Sequence, residues 1–418
     1  MSEWKLLHCG KLFDGIHDQL QPDMEVLVQG NKIMEVGRNL VRPEGVEVID
    51  LSGLTVTPGL SDTHMHTGML DWRTHWANND NAFRSQDYEV LCHLHTMQRT
   101  LERGFTTIRC MANNFGITDV KRIIEQGAFA GSRMNVCVRM LGTPGSHIDL
   151  MGQKYSRNPE VALKIQDSHI GSGPDFFRNE VRNDVKFGAD FVKIFLSGGF
   201  MSPNDGPEDQ QLDDEEIKAF CDTANALRKP STAHVYAPKL MQKLLKNNIY
   251  CMEHGALMDE ETARMFEDSG TYLVPTFWPY EDIINLNEES LQKKNPQFRA
   301  KLRYYSEWLR ESRKVIVNSN IIMGYGTDIP YVHQCYESAW EYACWLNSGM
   351  DPYRTLKAAT IVNAKIMRLD HLIGTVEPGK LADFSGWHRD LLTDPQALQQ
   401  CDFVMKEGVS YPTVYNVK

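Results

Sequence analysis

Apolar β-type runs alternate with amphipathic helical stretches through a long middle segment, and both ends of the chain are rich in short strands with tight turns. Eight such β-then-helix units over about 310 residues is the count for a barrel of parallel strands. The sequence therefore predicts an α/β protein: a (β/α)8 TIM barrel over 58–371, with a small β-sandwich domain built from 1–57 plus 372–418.

At the N-terminal end, Met24–Gln29 and Lys32–Val36 flank Gly30-Asn31, a dipeptide that suits a hairpin turn. Val46–Asp50 and Leu54–Thr57 flank Ser52-Gly53 in the same manner, and Gly374–Trp387 and Phe403–Lys406 are strand-like near the other end. The barrel runs are Leu60–His64, Phe105–Met111, Asn135–Leu141, Phe191–Leu196, Ser231–His234, Tyr250–His254, Tyr272–Thr276 and Ile321–Asp328. Helical periodicity lies between most of them, as in Gln86–Arg103, Asp213–Leu227 and Asp259–Asp268. A doubly wound open sheet would carry a glycine-rich phosphate turn after its first strand, and Ser61-Asp62-Thr63-His64-Met65-His66-Thr67-Gly68 is not one. The connections Gly142–Gly173, Gly198–Gln211 and Phe277–Pro296 follow runs three, four and seven, where a barrel places substrate-binding loops. Phe277, Trp278 and Tyr280 either wall the pocket or pack their loop against the barrel.

Composition narrows the partners. The chain has 418 residues and a net charge of -11, with no stripe of Lys or Arg to neutralise a phosphate backbone, so no nucleic-acid partner is expected. No apolar stretch approaches the roughly 18 residues of a membrane span, and the first residues lack a signal-peptide pattern. Nine scattered Cys, an odd count with no CxxC pair, argue for a reducing compartment rather than a disulfide framework. A cytoplasmic enzyme acting on a small-molecule substrate is the expectation, with a homo-oligomer left open.

The residues that carry chemistry sit at run ends. His64 and His66 are two apart on an extended chain, so both imidazoles point the same way and can reach one ion; surface histidines on a loop are the alternative. His93 and His95 share that spacing but fall on a helical pattern, where their side chains diverge. His234, His254 and Asp328 end the fifth, sixth and eighth runs, and barrel strands converge at that end. Lys193 lies inside the apolar run Phe191–Phe195. A buried ammonium finds a carboxylate, here Glu253 or Asp328, or loses its proton and can then react with CO2 to give a carbamate.

Pro58-Gly59-Leu60-Ser61-Asp62-Thr63-His64-Met65-His66, Phe191–Gly199, Thr232–Ala237, Met252–Asp259 and Gly324–Asp328, in this order, resemble the amidohydrolase superfamily, and Ile373–Phe384 resembles its return into the small domain. The resemblance spans nearly the whole chain and is strongest to the imidazolonepropionase-related branch that includes Xaa-Pro dipeptidases and N-acyl amino acid hydrolases. It implies one divalent ion on His64, His66 and Asp328, a second on His234 and His254, and carboxylated Lys193 bridging them, with Zn favoured and Mn, Co or Fe possible. It further implies attack of a metal-bridging hydroxide on an amide of a dipeptide or N-acyl amino acid, with Asp328 as the proton carrier. Deaminases of the superfamily tend to use one metal and lack the lysine. His147 and Tyr236 match positions that contact substrate in the dipeptidase-like relatives, although the usual GGHG-type segment is here Gly145-Ser146-His147-Ile148. A loop histidine and a core tyrosine remain the alternative for those two. A deaminase, a cyclic imide or lactone hydrolase, and a metal-free scaffold are the competing functions.

Overall fold

A computed structural model of the chain describes residues 4–69, 86–112, 114–149, 168–200, 205–294, 296–331 and 339–413. Parts of two expected loops, 150–167 and 201–204, lie outside the described residues, as does Cys335.

The chain is a mixed α/β protein with two parallel sheets and a third, mixed sheet. The termini supply β1 (Trp4–Leu12), β2 (Gln21–Gln29), β3 (Lys32–Gly37), β4 (Glu47–Pro58), with β14 (Phe384–Trp387), β15 (Phe403–Lys406) and β16 (Val409–Tyr411) from the far end. All seven pair in the order β16-β15-β14-β4-β1-β2-β3. Where a sandwich is expected, the strands of the two termini pair, among the described residues, in one continuous sheet, with β1 antiparallel to β2 on one side and parallel to β4 on the other. A correction concerns Ser52-Gly53, which is no hairpin turn but a bulge inside the continuous strand β4. The register on β1 jumps from Cys9↔Leu51 to Lys11↔Thr55, and a Cβ on Gly10 would collide with Ser52 O. The strand expected over Gly374–Trp387 shrinks to β14, and β16 was not anticipated.

The middle of the chain builds the two parallel sheets. One runs β13-β5-β6-β7, from β5 (Leu60–Met69), β6 (Phe105–Met111), β7 (Arg133–Cys137) and β13 (Ile329–Tyr331). The other runs β12-β11-β10-β9-β8, from β8 (Met140–Leu141), β9 (Val192–Phe195), β10 (Ser231–Val235), β11 (Cys251–His254) and β12 (Tyr272–Val274). Two chain segments link them. The single run 133–141 supplies β7 to one sheet and β8 to the other. On the opposite side, residues 321–328 bridge Leu273↔Met323, while Thr63 N donates to Tyr325 O and Asp328 N to His64 O. The expected eighth strand, Ile321–Asp328, is thus mostly irregular, and regular pairing begins only at Ile329.

Helices cover these sheets, and their sequences show why they start where they do. Asp213 caps Asp214–Ala226 in a reciprocal box with Glu216, both bonds at 2.8 Å, and the helix buries Ile217, Phe220, Cys221 and Ala224. Asp259 caps Glu260–Ser269, which Gly270 ends at φ 69. Phe277–Pro296 is not a plain loop: it folds into short helices Glu281–Ile284 and Glu288–Lys293, pinned by buried Ile283 and Leu291, before the long helix Pro296–Asn318. No helix among the described residues is long and apolar enough to cross a membrane, and the eight described cysteines are buried, with no disulfide between any two of them.

Candidate metal centre

The C-terminal ends of the parallel strands converge, and the eight sequence-predicted site residues lie there. His64, Lys193 and His254 are fully buried, whereas His66 and Asp328 retain 16% and 23% of their side-chain exposure and mark the open side. Ligand atoms of His64, His254 and Asp328 all fall within 4.8 Å of one another. Asp328 Oδ1 is 3.3 Å from His64 Nε2 and 3.2 Å from His66 Nε2. Lys193 Nζ is 3.4 Å from His64 Nε2. The His234 ring packs 4.6 Å from His254, and Tyr236 and His147 flank His234 at 4.7 and 5.1 Å between centroids.

Local backbone geometry makes this convergence possible. Neighbours on a strand normally face opposite ways, yet Glu253 and His254 both reach His64. His254 sits at φ 70 at the end of β11, Thr276 at φ 46 just beyond β12 and Asp328 at φ 54 just ahead of β13, so all three take up the left-handed region. Such strain is held only where surroundings impose it. Here His254 Nδ1 hydrogen-bonds Thr276 Oγ1 at 2.7 Å. Asp62 accepts from His64 N at 2.9 Å and from Thr327 Oγ1 at 2.6 Å, tying the first ligand strand to the segment carrying Asp328. Burial pushes the Asp62 carboxyl up to about 7 against those donors.

Burial disfavours the charged forms of the enclosed bases. Burial drives the His64 and His234 imidazoles well below their ordinary range and His254 down to about 4, so all three are neutral donors. Burial likewise lowers the Lys193 ammonium, and among the described residues no carboxylate pairs with it; Glu253, one of its expected partners, is engaged by His64 and Arg109 instead. Glu253 only accepts from His64 Nδ1, so His64 Nε2 carries a lone pair facing a carboxylate oxygen at 3.3 Å. Two acceptors so placed repel unless a cation lies between them. His234 Nε2 is buried with no hydrogen-bond partner among the described residues. This donor set fits divalent cations.

The flanking residues separate the alternatives left open for the aromatic loop. Phe277 packs on Trp345 and Trp278 on Trp340, with both backbone N–H groups donating to buried Glu341, so these two anchor the loop. Tyr280 instead faces His254 and Tyr236 at 6.3 and 6.0 Å. His147 lies 3.5 Å from Asp205 and takes its backbone anchor from Gln211. The second HxH pair takes no part: His93 is buried against Thr67 Oγ1 at 2.6 Å and His95 is exposed. Sequence reasoning passed over Arg109, which sits charged within the apolar run Phe105–Met111, the same signal that singled out Lys193. It passed over Thr276 as well, and no sequence signal marks its left-handed backbone.

Comparison with known proteins places this geometry. A family model described as "Amidohydrolase family" matches residues 55–410. The ochratoxinase of Aspergillus niger is 25% identical over 364 residues, covering 82% of this chain and 72% of that protein. The crystal structure of a Xaa-Pro dipeptidase with bound methionine in its active site superposes with a TM-score of 0.86 at 25% identity, covering 98% of this chain and all of that one. A prolidase complexed with N-methylphosphonate-L-proline gives 0.84 at 24% identity, covering 98% and 100%.

Proposed function

Because the chain belongs to the amidohydrolase family and is a hydrolase acting on amide C–N bonds, we propose that it cleaves a dipeptide or N-acyl amino acid at the cluster around Asp328. One observation carries the reading: two imidazole nitrogens face the same Asp328 oxygen at 3.2 and 3.3 Å, beside a buried lysine amine with no carboxylate paired to it among the described residues. The names of the similar proteins, a Xaa-Pro dipeptidase and a prolidase, support a dipeptide-like substrate with a free carboxylate. The two parallel sheets, linked through 133–141 and 321–328, support a (β/α)8 barrel over 58–371 as the catalytic domain, with 1–57 and 372–418 forming the smaller one.

His64, His66 and Asp328 would hold one divalent ion, His234 and His254 a second, and Lys193 as its carbamate would bridge them; zinc suits these donors best. Bound there, the ions would acidify a water and polarise the scissile carbonyl. Asp328 takes the proton of the attacking water and delivers it to the leaving nitrogen. Tyr236, its phenol kept neutral by burial, and His147 hold the substrate's carbonyl or carboxylate.

Metal analysis of the purified protein, followed by a library of dipeptides and N-acyl amino acids scored for released amine, tests the reading. Two metal equivalents and a free amino acid are expected. Ammonia release would point to a deaminase, and ring opening to a single product would point to a cyclic imide or lactone hydrolase. Protein without metal and without hydrolysis would sink all three.

A further inference from the structure

Glu253 is fully buried, and donors from three other strands hold it. Arg109, on β6, donates to Oε1 and also gives its Nε–H to Thr63 O at 2.6 Å. Thr232, on β10, donates to the same Oε1 at 2.5 Å, and His64 Nδ1, on β5, lies 2.7 Å from Oε2. Arginine has donors and no acceptor, so the Glu253 oxygens facing Arg109, Thr232 and His64 serve as acceptors. That places the hydrogen of His64 on Nδ1 and leaves the lone pair on Nε2, the atom facing Asp328 and Lys193. A buried arginine–carboxylate pair adds little net stability over apolar packing, so stability alone does not account for two charges beneath the site.

We propose that Glu253, braced by Arg109 and Thr232, is a positioning residue that fixes the tautomer and orientation of His64 and thereby sets the affinity of the cation site. The proposal rests on the reading of His64 as a metal ligand. Partners of this kind behind a ligating histidine typically change metal affinity by about 10–100-fold when removed.

Two measurements decide it. In chelator-treated native protein labelled with 15N-histidine, NMR should show His64 as the Nδ1–H tautomer; the Nε2–H tautomer would overturn the proposal. Zinc affinity is then measured by chelator competition on Glu253→Gln and on the double variant Glu253→Gln/Arg109→Gln, which strands no buried charge. Both should bind zinc about 10–100-fold more weakly than native protein. Native affinity in the double variant would show that an unpaired guanidinium, not a misplaced His64, caused the single variant's loss, and would equally overturn it. If native protein binds no zinc at all, the proposed function fails while the tautomer measurement still decides this inference.

Discussion

Asp328 is the residue on which binding and chemistry separate. Its Oδ1 faces two imidazoles, and its partial exposure leaves it open to substrate. Asn has the same shape and keeps a carbonyl oxygen for coordination, but it cannot carry a proton from water to a leaving amine. Asp328→Asn should therefore retain close to native metal while turnover falls by about 10²–10⁴-fold. Near-native kcat with full metal would remove Asp328 from the proton path. The candidate metal ligands stand out in the sequence because each is a polar type near the end of, or deep inside, an apolar run, whereas only the family resemblance marks His147 and Tyr236. Glu253 and Arg109 were not legible as a pair, since the bond between them spans 144 positions and each alone reads as an ordinary strand charge. The fate of Lys193 also needed coordinates. Charge reasoning offered an ion pair or a neutral amine, and only the geometry shows Glu253 already taken.

At the scale of elements, local signals located the strands and misjudged their ends. Ser52-Gly53 has turn chemistry, but the cross-strand gap opened by Gly10 turns it into a bulge instead. Residues 321–328 read as a strand from their apolar start, yet Gly324 and Gly326 let the segment press against its neighbours. A Cβ on Gly324 would lie 2.7 Å from Asn363 Oδ1, which accepts from Thr63 Oγ1 and Tyr325 N. One on Gly326 would run into Val274 Cγ1 and come within 2.8 Å of His64 Cβ. Gly326→Ala should consequently displace the first ligand strand rather than merely crowd a core. We expect a loss of about 1–3 kcal/mol in unfolding free energy, typical of overpacking, together with weakened metal binding. A urea melt and a metal titration check the two parts. An alanine variant that is destabilised but binds metal normally would show that the close approach matters only for packing.

The whole molecule divides its labour between two ends of the parallel strands. The site occupies the C-terminal ends, and the seven-stranded sheet docks against the N-terminal ends, where Ser385 Oγ donates to Gly104 O at 2.6 Å and Gly59 N to Asp383 O at 2.8 Å. Arg133, first residue of β7, is the charged clasp of that junction. It donates to Asp383 Oδ2 at 2.7 Å, to Glu407 Oε1 at 2.6 Å and to Thr107 Oγ1 at 3.0 Å while nearly buried. Conserving its bulk but not its charge, as in Arg133→Met, leaves the buried Asp383 carboxylate without its main partner. Breaking one side of such a pair costs about 3–5 kcal/mol. Because the clasp lies at the far end of the strands from Asp328, kcat measured well below the variant's melting temperature should stay near native. If this sheet and the two parallel sheets fold as one unit, the urea transition moves to lower denaturant as a single step seen alike by fluorescence and circular dichroism. Two separated transitions would mean that the sheet is an independent attachment, and a collapse of kcat in folded protein would mean that the stability end and the catalytic end are mechanically coupled.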